Sequence, residues 1–344
     1  MNTQTGLLLL VLLLLACLPF ACSGAGPKVT PSALNPALYD TFTLTFAGAQ
    51  PEGNPFAYFP KVEFCKGDRR FRVEGFFDGD GAGGQQGTVW KVRFMPDEEG
   101  KWTYTWRFLS WGGEGSFEVV ARQDTKLKGH VKLDPDHHRG LRYDNGAPFY
   151  AILGKWFSAK NLRPSSPAYK DHVTRHNYLD DQTILAYLDV LAATSHNTTL
   201  YKVCQYPLND DCATWDLAFC ARYDRLLKAA ADRGLYVWLN FFDTWGRAQG
   251  GPFEWNTDSD AQVLDPWHEN FLPETEFYLR YFIARWAGYA NVMWELGNEC
   301  DHAPNSGSEF VRLTNDYYLP WIHKYDPYRL PIGLSAGIWQ QANV

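Results

Sequence analysis

Polar and apolar residues alternate strictly along much of the first third of the chain. Thr41-Phe42-Thr43-Leu44-Thr45-Phe46 puts every second side chain on one apolar face, the pattern of a strand with one buried side. Trp90-Lys91-Val92-Arg93-Phe94 and Trp102-Thr103-Tyr104-Thr105-Trp106 repeat it, and Glu114-Gly115-Ser116-Phe117-Glu118-Val119 adds a last strand. Between the second and third lies Met95-Pro96-Asp97-Glu98-Glu99-Gly100, whose turn-forming residues predict a hairpin. About seven short strands in roughly 95 residues predict an all-β, immunoglobulin-like sandwich over residues 27–122.

From residue 129 the rhythm changes to strands alternating with helices, the mark of parallel β/α architecture. Pro148 to Gly154 reads as a first buried strand, followed by a helix over Gln182–Thr194 with Ile184, Leu185, Leu188 and Leu191 at helical spacing. Strand Thr198–Cys204 leads to a helix over Ala218–Arg233, which stops at Gly234, a residue suited to the left-handed C-terminal turn. Leu235–Phe242 is the next strand. Pro273 opens a helix through Phe277, Tyr281 and Trp286, and strand Val292–Leu296 follows. Ser306-Gly307-Ser308-Glu309 has the form of a capping box opening a helix to Lys324, before a fifth strand over Leu330–Ser335. Gly154-Lys155-Trp156 follows the first strand where a dinucleotide fold carries a glycine-rich turn, which argues against a doubly wound sheet. Residues 129–344 therefore predict a (β/α)₈ TIM barrel that is incomplete, with about five of its eight β/α units.

Composition narrows the function. A net charge of −7, from 32 basic and 39 acidic residues without basic runs, excludes a polyanion-binding surface, so no nucleic-acid partner is expected. The 14 Trp, 19 Tyr and 22 Phe supply flat faces that suit sugar rings and large β cores alike. Leu7–Leu15 is an apolar run too short to span a membrane and fits a signal peptide over residues 1–22. Leu14-Leu15-Ala16-Cys17 resembles a bacterial lipobox and Ala21-Cys22 is a poorer match, so Cys17 and Cys22 are candidate lipid anchors; Met1–Gly6 lacks the usual basic residues. The expectation is an exported protein: secreted, periplasmic or lipid-anchored at the cell surface. Beyond the leader, Cys65, Cys204, Cys212, Cys220 and Cys300 are odd in number and lack metal-clip spacing, leaving room for one disulfide among Cys204, Cys212 and Cys220. Asp78-Gly79-Asp80-Gly81 lacks the third acidic ligand and distal Glu of a calcium loop and reads as a turn. No metal or cofactor is implied.

Candidate chemistry concentrates in Val292-Met293-Trp294-Glu295-Leu296-Gly297-Asn298-Glu299, a buried strand ending in Asn-Glu at the edge where barrels place catalytic groups. This motif resembles the strand-four signature of retaining (β/α)₈ glycosidases of the cellulase-like clan. The wider layout resembles the apiosidase-like glycoside hydrolases, in which a small β-sandwich domain precedes the barrel. Tyr143-Asp144-Asn145-Gly146-Ala147-Pro148-Phe149, Tyr223-Asp224-Arg225-Leu226-Leu227, Asp232-Arg233-Gly234-Leu235-Tyr236-Val237 and Trp102-Thr103-Tyr104 carry the likeness, which runs over most of residues 30–337.

The resemblance implies a carbohydrate substrate, Glu299 as general acid/base, and Asn298 binding the sugar 2-hydroxyl and orienting the glutamate. Glu295 is excluded as the second carboxylate, because four strand residues span about 13 Å whereas retaining pairs sit about 5 to 5.5 Å apart. The related families place the nucleophile at the end of strand seven, which this stretch is not expected to contain, so an inactive or fragmentary chain is expected. Asp243, Trp156 and Trp245, which follow predicted strands, are candidate substrate contacts, while Lys155 and Lys202 read as solvated and His137-His138 as structural. The alternative is a non-catalytic carbohydrate-binding or surface-adhesion protein.

Overall fold

The computed structural model describes residues 26–137, 139–154, 158–159, 178–201, 208–209, 211–243, 269–298 and 311–334. Its N-terminal part is built from eight strands: β1 (Lys28–Pro31), β2 (Phe42–Ala47), β3 (Lys61–Lys66), β4 (Arg69–Glu74), β5 (Phe76–Phe77), β6 (Val89–Phe94), β7 (Gly100–Phe108) and β8 (Trp111–Val119). They form two four-stranded antiparallel sheets, in the orders β1-β2-β6-β5 and β4-β3-β7-β8. Alternation dictates the arrangement: Phe42, Leu44 and Phe46 of β2 are fully buried while the threonines between them face outward. The sheets meet through aromatic faces, Phe42 stacked on Phe117 at 3.9 Å and Phe64 on Phe94 at 4.2 Å.

The hairpin expected across Met95–Gly100 does not form. β6 pairs with β2 and β5, whereas β7 pairs with β3 and β8, so the connection crosses from one sheet to the other. Three anchors hold the crossing: the Trp102 indole donates to the Glu98 carbonyl, Arg69 pairs with Asp97, and the Met95 N–H reaches the Tyr328 hydroxyl at 2.7 Å. Alternation identified both strands but carried no information on pairing.

A three-stranded antiparallel sheet, β9 (Val131–Leu133), β10 (Leu141–Tyr143) and β11 (Pro148–Phe149), follows. The strand expected over Pro148–Gly154 is therefore divided. Its first residues belong to this small sheet, and Leu153 makes only a single parallel bridge to Thr198. Tyr150 is 76% exposed, so the run is not the buried strand its apolar character predicted.

The remaining elements alternate: a short parallel pair β12 (Ser158–Ala159) and β13 (Tyr178–Leu179), then α1 (Asp181–Ala193), β14 (Thr198–Tyr201), α2 (Leu217–Ala231), β15 (Tyr236–Asp243), α3 (Leu272–Trp286), β16 (Val292–Asn298), α4 (Leu319–Tyr325) and β17 (Ile332–Gly333). β14-β15-β16-β17 is one parallel sheet in sequence order. The local signals explain the helix ends. Asp180 caps α1 through the Thr183 N–H, Asp216 caps α2 through Phe219, and Gly234 has φ 73° just past α2. The capping box at Ser306–Glu309 lies outside the described residues. No helix among the described residues is long and apolar enough to cross a membrane.

The sandwich packs against α2 and α3 through a buried charge network. Asp224 on α2 accepts from Arg93 at 2.7 and 2.8 Å, from Arg285 at 2.7 Å and from the Trp286 indole at 2.9 Å. Arg285, fully buried, also pairs with Asp78 at 2.8 Å. Burial pushes the Asp224 carboxyl upward, but the Arg285 and Arg93 guanidiniums outweigh it and hold the group far below the ordinary carboxylate range.

Candidate active site at the C-terminal edge of the parallel sheet

Because β14 to β17 are parallel, their C-terminal ends lie along one edge. The register fixes that edge: Tyr201 pairs with Leu239, Asp243 with Asn298, and Glu295 with Gly333. β15 and β16 are thus the longest strands and end level with one another, at the two carboxyl-edge positions the sequence singles out. Of Asp243 and Asn298 the structure describes only the backbone. Glu299, Trp156 and Trp245 lie outside the described residues, as do Lys155 and Lys202.

The two faces of the sheet differ. Phe241 and Trp294 pack on Phe282 of α3, and the Trp294 indole donates to Asp326 at 2.9 Å, so these positions face the helices. Tyr236, Trp238, Asn240, Met293 and Glu295 face the other way. Tyr236 and Met293 join Val131, Tyr143 and Phe149 in a second apolar cluster, with Trp238 against it, so the β9–β11 sheet covers that face at its N-terminal end. Further along the same face, the Asn240 amide donates to the Glu295 carboxylate at 3.1 Å, and both residues are buried. Glu295 is thus held inside the sheet by a hydrogen bond, four residues before the end singled out in the sequence. Asn240 was not singled out in the sequence, although one amide inside Leu239-Asn240-Phe241 is the kind of polar interruption that marks such a partner.

Ahead of α2, the described residues around 208–215 form a small turn. Leu208 bridges Trp215, and the Asp211 carboxylate accepts from the Ala213 and Thr214 N–H groups at 2.9 Å. Among the described residues no group of three or more His, Cys, Asp or Glu side chains is placed to hold a metal ion. Cys65 and Cys220 are free thiols. Asp80 accepts from the Ala82 and Gly84 N–H groups at 2.7 and 2.8 Å, which makes its glycine-rich segment a turn.

Comparison with known proteins extends the picture. Residues 36–109 match a family model described as a domain of unknown function, DUF5060, a stretch inside the sandwich. No curated protein matches the sequence. Among solved structures, the chain is similar to one described as a "putative glycoside hydrolase" from Bacteroides vulgatus, at 20% identity and a TM-score of 0.62, covering 88% of this chain and 56% of that one. The chain thus spans a little over half the length of that neighbour, and at this identity the likeness is one of fold. A β-mannanase from the blue mussel Mytilus edulis is also similar, at 11% identity and a TM-score of 0.39, over 61% of this chain and 64% of that one. That score is too low to carry an argument.

Proposed function

We propose that residues 129–344 form the first β/α units of a (β/α)₈ glycosidase barrel, preceded by an immunoglobulin-like sandwich over 27–122. The protein is then an exported, apiosidase-like glycoside hydrolase of retaining mechanism. The observation that carries the reading is the β15–β16 pair, two parallel strands ending level at Asp243 and Asn298, with Glu299 the next residue in the chain.

In this reading Glu299 protonates the glycosidic oxygen and then takes a proton from water. Asn298 holds the sugar 2-hydroxyl, and Asp243, Trp156 and Trp245 line the subsites. The second carboxylate of a retaining pair has to sit about 5 to 5.5 Å from the first, a place that Glu295 cannot reach from its bond to Asn240.

The test is Glu299→Gln in the full-length protein, assayed on aryl glycosides and plant or microbial polysaccharides. Loss of general acid/base catalysis lowers turnover by about 10²- to 10⁴-fold. Turnover within tenfold of wild type would remove Glu299 from the mechanism. Glycan binding with no turnover in either protein would favour a carbohydrate-binding role.

A further inference from the structure

We infer that the sandwich is a positioning element of the catalytic edge: through Gln85 and Asn54 it fixes residues 211–217, which lead into the helix between β14 and β15. The inference rests on the reading that this edge binds sugar, and adds a task for the domain in front of it.

Asn209 and Thr214 tie the described part of this segment together before it meets the sandwich. Asn209 donates to the Thr214 carbonyl and hydroxyl, both at 2.9 Å, and buried Trp215 stacks on Tyr281 at 4.3 Å. Two peptide groups at its end then find their partners on the other domain. The Gln85 side chain donates to the Trp215 carbonyl at 2.8 Å and accepts from the Leu217 N–H at 3.2 Å. Leu217 opens α2, so its N–H belongs to the first-turn donors that a helix cannot satisfy internally. α2 is therefore capped twice, by its own Asp216 and by a glutamine from the sandwich. Asn54 donates to the Ala213 carbonyl at 2.7 Å while its own oxygen takes the Phe56 N–H at 3.0 Å, which locks its orientation.

The loop bearing Gln85 is shaped for this contact. A Cβ on Gly83 would lie 3.2 Å from that of Ala221, and one on Gly79, at φ 56°, would lie 2.7 Å from the Leu217 side chain and 1.9 Å from the Gly84 carbonyl. Side chains there would lift the loop off α2. Behind it Asp78 is tied to Arg285 at 2.8 Å and to Lys91 at 2.6 Å, so the loop is held at its base as well as its tip. None of these groups needs to touch a sugar. Their effect passes through Leu208, Asn209 and residues 211–217, whose displacement weakens sugar binding rather than the chemical step.

Gln85→Ala with Asn54→Ala, and each alone, in the full-length protein form the test. Hydrogen exchange over residues 208–217 should quicken while the sandwich core stays protected. KM for an oligosaccharide should rise about fivefold with kcat nearly unchanged, and Gln85→Glu, which keeps the acceptor for Leu217, should recover part of the loss. Unchanged exchange over 208–217, or faster exchange with unchanged KM, overturns the inference. Glu299→Gln is assayed alongside: if it abolishes turnover and the sandwich variants leave KM alone, this inference alone fails, whereas an active Glu299→Gln removes the site reading itself.

Discussion

Asn240 and Glu295 are register partners on β15 and β16, and the amide of one donates to the carboxylate of the other at 3.1 Å inside the protein. The bond joins the two longest strands of the parallel sheet on the face opposite the helices. It also holds a glutamate four residues before Glu299 and too deep to act with it. Glu295→Ala is expected to lower stability by about 1–3 kcal/mol, because the Asn240 amide loses this acceptor in a dry setting. Glu295→Gln should retain turnover within about tenfold of wild type, unlike Glu299→Gln. Denaturant titration and one rate measurement separate these roles, and a turnover loss in Glu295→Gln matching that of Glu299→Gln refutes the assignment.

Asp224 is the hub between the two halves of the molecule, accepting from two arginines and an indole. Asp224→Ala leaves Arg93 and fully buried Arg285 short of their main counter-charge, and breaking one side of a buried pair costs about 3–5 kcal/mol. The expected readout is a large drop in denaturation midpoint with both halves melting together. A loss below about 0.5 kcal/mol, the scale of an exposed pair, would show that the network is not dry.

How much of this was legible beforehand differs by element. Alternation placed β2, β6, β7 and β8 to within a few residues, because one buried face imposes period two on any strand that has one. Helical spacing placed α1, and Gly234 marked the end of α2, while the Asp180 and Asp216 caps went unread. Pairing was not legible: nothing local separates a hairpin across Met95–Gly100 from a crossover between sheets. Nor did the apolar run Pro148–Gly154 announce that β10 would claim its first residues. Asp224 was noticed as part of a resemblance, but its two arginine partners are 131 and 61 residues away, a pairing that only the fold reveals. The start of β16 at Val292 was legible, but the strand expected to stop at Leu296 runs on through Gly297 to Asn298, because pairing with Phe242 and Asp243 of β15 extends it.

Removing the sandwich should unfold the rest. Tyr281 donates to the Phe77 carbonyl at 2.6 Å, Arg280 pairs with Glu74, and the N-terminus of α2 takes a partner from Gln85. A chain beginning at residue 129 would bare these groups along with an apolar wall, and exposed patches of that kind drive aggregation. Expression of residues 129–344 is therefore expected to give insoluble or molten material. A monodisperse, cooperatively melting product would show that the two halves are independent.

His130 predicts how stability responds to mild acid. Its ring is fully buried, Nε2 lies 3.1 Å from the carbonyls of both Ala287 and Tyr289, and Nδ1 has no hydrogen-bond partner. Asp144 lies 3.9 Å from Nδ1 and the ring packs on Tyr328, with Lys132 and Asp326 as the other charges that act on it. Burial lowers the imidazole pKa below its ordinary 6.5, and the attraction of Asp144 does not offset it. The folded state thus holds the ring neutral, donating from Nε2, while the unfolded chain takes up a proton below about pH 6.5. Stability from this group is complete above that pH and falls as the pH drops, by at most about 1.4 kcal/mol per unit until the folded pKa is reached. Asp224, whose folded pKa is depressed, acts only at lower pH, below its unfolded value. Denaturation midpoints between pH 7.5 and 5 should therefore decline in the wild type and decline less in His130→Gln. Equal slopes in the two proteins would mean that the ring is protonated in the fold.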